Sequence, residues 1–250
     1  VLLNAGLLHR VGPGRLYVSL ARALSGLGFP VLRVDLFARG DSAITPDAVR
    51  DSTEEENYAD IKLFIDARFG EVPVVLGGLC SGADNAIRLA IRHDEVVGLI
   101  LLDPICFKTR GFALRQSLHR LQELFLHPAF SVRHAAAALT RILRAMVHAS
   151  DETIDPLTIR NAPTRPEVEA AFSAVAKRGG HVLSIFTRYA MHYYNCQGQM
   201  QAIALPHGPN EISSEIFWPD VAHTYSLEIH RLRLIDAITT WCAKNFSSCN

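Results

Sequence analysis

The stretch GGLCSGAD, Gly77 to Asp84, follows the apolar run Val72 to Leu76 directly and leads into a helical pattern over Ala83 to Arg92. A strand, a sharp turn and a helix are therefore joined with Cys80 at the apex. The arrangement is that of a nucleophile elbow, G-x-S-x-G, with cysteine in the serine position. Gly78 and Gly82 suit it because a side chain at either place would collide with the neighbouring strand or helix in so tight a turn. The residue between them is lifted clear of the sheet, beside the next backbone N–H and the positive end of the helix. The plainer alternative is a glycine-rich turn around a buried structural cysteine, a residue type that is often buried.

What surrounds the elbow bounds the fold. Apolar runs and amphipathic helical patterns alternate through the first hundred residues, which predicts an α/β fold with a mostly parallel sheet flanked by helices. Strands are expected at Val1–Leu3, Val31–Asp35, Val72–Leu76 and Val97–Leu102. Helices are expected at Arg15–Leu27 and Glu54–Phe69. The strands are nearly continuous in Val, Leu and Ile, as strands covered on both faces are.

After Asp103 and Pro104 the alternation stops. Leu114, Leu118, Leu121 and Phe125 form one apolar stripe, and Val132, Ala135, Leu139, Ile142 and Met146 another, with Pro156, Pro163 and Pro166 behind them. This reads as a helical cap over 105–177 inserted into a core of 1–104 and 178–250. Alternation resumes with strands at His181–Phe186 and Glu215–Trp218 and a last helix at Leu227–Cys242.

At 250 residues and 49% hydrophobic content, one large domain with a substantial core suffices. Charge is balanced, 25 basic against 25 acidic residues, so no global field points to nucleic acid. No apolar run approaches the roughly 20 residues of a membrane helix. Five scattered cysteines without a C-x-x-C pair argue against a disulfide framework or a zinc site. A reducing cytoplasm is the expected setting, with no cofactor and no metal. Nothing reads as a signal peptide, and a chain beginning inside a strand reads as a trimmed product.

A cysteine nucleophile needs a base. His223 follows the late strand in a loop and precedes the last helix, a place from which an imidazole can return over the elbow. Within reach of the thiol it would lower the thiol pKa from about 8.5 and supply thiolate near neutral pH. The orienting acid is less obvious. In the chain order nucleophile, acid, histidine the acid commonly follows the strand after the cap. Here no Asp or Glu occurs between Glu169 and Glu211. Asp103, at the end of the preceding strand, is the favoured replacement, with Asp220 and Asn195 as the other candidates. For the oxyanion hole, the backbone N–H of Ser81 and that of Leu7, in the loop after the first strand, are the expected donors. The Ser81 hydroxyl is the rival nucleophile, one place past the apex.

These residues resemble the α/β-hydrolase superfamily over essentially the whole chain. The likeness is carried by NAGL at Asn4 to Leu7, DLFARGDS at Asp35 to Ser42, the elbow, and DVAHT at Asp220 to Thr224. NAGLLHRVGPGRLYVSLARAL, RVDL, GLCSGAD and HYYNCQGQ are closer still to bacterial hydrolases encoded beside exosortase and exopolysaccharide systems. In that subgroup an acidic residue usually precedes YYN, where this chain has Ala190-Met191-His192. The resemblance implies an α/β-hydrolase fold and acyl chemistry. Cysteine at the elbow also occurs in dienelactone hydrolases and polyhydroxyalkanoate synthases.

Thiolate attack on a thioester gives another thioester, so the acyl group stays activated. A thioesterase is the expected function, with acyl transfer or cyclisation to a second nucleophile as the alternative. A non-catalytic binding protein of the same fold is the alternative from another class. Between Ile105 and Ser150 the cap carries Lys108, Arg110, Arg115, Arg120, Arg133, Arg141 and Arg144 against the single acid Glu123. Such a surface could meet coenzyme A phosphates or an acidic acyl carrier protein, or be a solvated helix face. The apolar stripes would line an acyl pocket as well as pack on the sheet.

Overall fold

The computed structural model describes residues 1–42, 54–118, 161–205 and 210–246. Five strands form its sheet: β1 (Leu2–Leu3), β2 (Val74–Leu79), β3 (Val96–Leu102), β4 (His181–Thr187) and β5 (Ser213–Trp218). They lie side by side in that order and every pair is parallel. Parallel neighbours need long crossovers, and helices supply them. These are α1 (Leu16–Gly26), α2 (Glu54–Phe69), α3 (Ser81–Arg92), α4 (Arg165–Lys177), α5 (Gln199–Ala204) and α6 (Glu228–Asn245).

Side-chain alternation along the strands divides the core in two. Leu99 and Leu101 of β3, with Val182 and Phe186 of β4, join residues of α2, α3 and α4 on one face. Ile100 and Leu102, with Leu183 and Ile185, join Leu16, Leu20 and Leu24 of α1 and Leu234, Ile238 and Trp241 of α6 on the other. A period of two thus sends successive residues into opposite layers, which is why these strands read as unbroken apolar runs.

One expected strand is not formed. Val31–Asp35 makes a single parallel bridge, Arg33 to Leu2, with hydrogen bonds Leu2 N–H to Leu32 O at 2.8 Å and Val34 N–H to Leu2 O at 3.3 Å. Its neighbour β1 is only two residues long, because the chain leaves the sheet at Asn4, so no longer ladder has a partner. Conversely, β2 extends past Leu76 through Gly77 and Gly78, which pair with Ile100 and Leu101 and carry the strand to the foot of the elbow.

Much of the region expected as a cap lies outside the described residues. Residues 112–118 are helical, with Leu114 and Leu118 about half exposed. At the other end α4 starts with Thr164 and Glu167 in a capping box, and its Val168, Ala171, Phe172 and Val175 are completely buried in the same layer as α3.

Candidate active site

Cys80 occupies the apex between β2 and α3 with φ 58° and ψ −119°. A non-glycine residue rarely adopts this conformation, and its surroundings must hold it there. Three backbone hydrogen bonds do so. Cys80 N–H donates to Leu102 O at 2.8 Å, and Cys80 O accepts from the N–H groups of Ala83 at 3.0 Å and Asp84 at 3.1 Å. Just before the apex, Leu79 N–H donates to the buried Tyr17 hydroxyl of α1 at 2.8 Å. Both elbow glycines are forced by space. A Cβ on Gly78 would run into the Gly82 backbone, and one on Gly82 would lie 2.6 Å from Asn4 O. Gly82→Ala is therefore expected to cost about 1–3 kcal/mol by overpacking, read as a lower urea midpoint. An unchanged midpoint would show that β1 can yield.

His223 and Asp103 meet as the sequence suggested. His223 Nδ1 lies 2.7 Å from Asp103 Oδ2, and the ring also hydrogen-bonds the Cys80 thiol, for which Nε2 is the nitrogen left. Burial opposes the imidazolium, but the bonds to Asp103 and Cys80 outweigh it and raise His223 to about 9. The charged form thus prevails at neutral pH. The other two acid candidates are engaged elsewhere. Asp220 pairs with Arg233 at 3.2 Å. Asn195 accepts from Arg115 Nε at 3.0 Å and donates to Phe112 O at 2.9 Å, tying the root of the cap region to the loop after β4.

Asp103 is itself clamped. It is fully buried, has φ 47°, and accepts from Thr187 N–H and Thr187 Oγ1, both at 2.6 Å. Thr187 ends β4, the strand after which an acid would ordinarily come. Its hydroxyl and amide reach across to the acid on β3. Thr187, Tyr17 and Tyr189 went unread in the sequence. A polar residue closing an apolar strand was the available signal for Thr187, and nothing local marked the two tyrosines.

The loop after β1 does approach the elbow. Gly6 N–H donates to Ser81 Oγ at 2.7 Å, so that hydroxyl is turned toward the loop and not toward His223. Leu7 follows immediately and is 84% exposed. Asp35 fixes the loop from behind: it accepts from Asn4 Nδ2 at 2.9 Å and from Arg10 N–H at 2.5 Å. It also pairs with the Arg10 guanidinium. His9, Asp35 and Asp41 bring three possible metal-ligand atoms within 4.8 Å of one another. Arg10 binds both carboxylates, so a cation would have to displace a guanidinium there.

No protein-family model matches the chain, and no curated protein matches it in sequence. Solved structures do. A hypothetical protein of Pseudomonas aeruginosa PAO1 has a TM-score of 0.56 at 17% identity, over 97% of this chain and 90% of that one. A Pyrococcus furiosus esterase has a TM-score of 0.54 at 13% identity, over 98% and 82%. Alpha/beta hydrolase domain-containing protein 10 from mouse has a TM-score of 0.52 at 16% identity, over 97% and 89%. Such identities speak to architecture alone, and the architecture is the α/β-hydrolase fold. No helix among the described residues is long and apolar enough to cross a membrane.

Proposed function

We propose that this chain is an acyl-thioester hydrolase working through a Cys80 acyl-enzyme. The observation that carries the reading is the line of contacts from the Cys80 thiol to His223 and on to Asp103, laid across the apex of a strained strand-to-helix turn. The Cys80 sulfur attacks the thioester carbonyl carbon. The oxyanion that forms faces the N–H groups of Ser81 and Leu7. His223 Nε2 then delivers its proton to the departing thiolate as the carbon–sulfur bond breaks. Neutral His223 next takes a proton from water, the hydroxide attacks the acyl-cysteine carbonyl, and the acid leaves as His223 returns the proton to the sulfur. Thioesters fit because acyl-cysteine is no less activated than the substrate, so water can complete the cycle. A panel of acyl thioesters and matching oxygen esters, followed by thiol or alcohol release, tests this. Faster turnover of the oxygen esters would overturn it.

The substrate's handle is proposed to be anionic. A cavity of ≈ 580 Å³ behind the same loop is lined by His9, Arg10, Arg15, Arg22 and Arg33, with no Asp or Glu in its wall among the described residues. Arg10 is paired with Asp35 and Asp41, whereas Arg15, Arg22 and Arg33 have no carboxylate partner among the described residues. Coenzyme A phosphates or an acidic carrier surface would complement this charge. Of the basic residues expected in the cap, Arg120, Arg133, Arg141 and Arg144 lie outside the described residues, and Arg115 is committed to Asn195 and Thr109. The double variant Arg15→Ala/Arg22→Ala is expected to raise KM for an acyl-coenzyme A about five- to tenfold, with no change for the same acyl group on N-acetylcysteamine. Equal KM values for both substrates before and after substitution would exclude this cavity as the handle's site.

A further inference from the structure

Tyr189 stacks on His223. The two ring centroids are 4.1 Å apart and the planes 28° from parallel, in the segment Arg188–His192 directly after β4. We infer that Tyr189 is a positioning residue for His223, whose ring face fixes the imidazole plane between Asp103 and Cys80 and favours its protonated form. The role rests on the acyl-enzyme reading proposed above. The face of an aromatic ring carries negative potential, so it attracts an imidazolium more than a neutral imidazole. A ring packed flat also resists the rotation that would break the Nδ1 bond to Asp103.

The platform is built from the element that clamps the acid. Tyr189 N–H donates to Thr187 Oγ1 at 3.3 Å, and that same hydroxyl bonds Asp103. Tyr189 also meets His192 edge-on, with ring centroids 5.5 Å apart, and its carbonyl is held by His192 Nδ1 at 2.7 Å. One short segment thus places both the carboxylate and the ring plane. The charged and titratable groups around His223 can be named element by element. Asp103 at the end of β3 and Cys80 at the elbow touch it directly. Around them, Tyr225 in the same loop as His223 feels the Asp103 carboxylate, Arg188 donates Nε to Pro219 O at 3.2 Å, Asp220 is paired with Arg233 at 3.2 Å, and His192 contacts the Tyr189 ring. The Arg188 and Asp220 contacts do not involve the Tyr189 side chain, and the ring contact with His192 is kept by Phe and lost in Leu.

The test is a titration of His223 by NMR in the resting protein, comparing wild type with Tyr189→Phe and Tyr189→Leu. Tyr189 is 37% exposed, so both variants should fold, and a thermal melt checks it. Phe keeps the ring face and is expected to titrate as wild type. Leu keeps bulk without the face and is expected to titrate about 0.5–1 pH unit lower. The corresponding limb of the kcat/KM profile should move with it. Identical His223 titrations in all three proteins would overturn the inference, as would equal shifts in Phe and Leu. Because the titration needs no substrate, a shift in Leu alone alongside absent thioester turnover would leave the inference standing and remove the proposed function.

Discussion

Asp103→Asn is expected to lower kcat/KM for a thioester on the order of 10²–10³-fold while leaving the protein folded. Asp103 is fully buried and accepts hydrogen bonds from Thr187 N–H, Thr187 Oγ1 and His223 Nδ1. An amide keeps one accepting oxygen, which the Thr187 N–H can retain. The atom that replaces Oδ2 becomes a donor. It can bond His223 only if Nδ1 loses its proton, so the imidazolium that Asp103 favours beside the Cys80 sulfur is no longer held. The expected loss is placed below the full effect in a serine triad, because a thiol ionises more readily than a hydroxyl.

The pH dependence has a definite sign. With its folded value raised above the ordinary 6.5, His223 contributes stability that is complete below pH 6.5 and lost as pH rises through about 9. In Asp103→Asn the first of the two favourable hydrogen bonds is gone, so His223 should titrate lower, and the alkaline loss of stability, which still begins near pH 6.5, should be smaller and end at a lower pH. Melting curves of both proteins between pH 6 and 10, about the range of these two values, measure the difference. Unchanged activity in the Asn variant would remove Asp103 as the orienting acid.

The elbow was legible because its chemistry is local. Gly78, Cys80 and Gly82 fall within five residues, and the contacts that exclude a side chain involve Gly82 with Gly78 and with Asn4 O. Asp103 could be inferred because it ends a strand that neighbours the elbow strand, and pairing in register carries that proximity through the sheet. His223 was legible by order along the chain. The sheet itself followed from the apolar runs, except at Val31–Asp35, where propensity favoured a strand but the two-residue β1 offered no ladder. What escaped were contacts between elements distant in sequence. Thr187 reaches Asp103 across 84 positions through its hydroxyl and its amide, and Tyr17 reaches Leu79 across 62 through its hydroxyl. Tyr189 met His223 only because the segment after β4 folds into a short helix, which a sequence without an acid there gave no reason to place over the imidazole.

An electrophilic acyl trap is expected to label Cys80 alone at neutral pH, and Cys80→Ala to lose both the adduct and thioester turnover by at least about 10³-fold. The argument is differential. Burial pushes the Cys106 thiol well up, and burial likewise pushes Cys242 up to about 12, so neither supplies thiolate at pH 7. Cys80 is partly exposed and sits against an imidazole that is charged at that pH. Peptide mapping by mass spectrometry locates the adduct, with partly exposed Cys196 as the internal control for labelling by accessibility alone. Equal labelling of Cys80 and Cys196 would mean that access, not activation, decides reactivity. Absence of any Cys80 adduct in folded protein would leave a binding protein of the same fold as the better reading. Cys80→Ser separates the remaining possibilities: a hydroxyl forms an oxygen ester, which holds its acyl group more tightly than a thioester does. If the natural acceptor is water, the variant should accumulate acyl-enzyme and turn over slowly. If the acceptor is a second nucleophile, transfer to that nucleophile should fall further than hydrolysis, and the ratio of the two products measures which acceptor the site was built for.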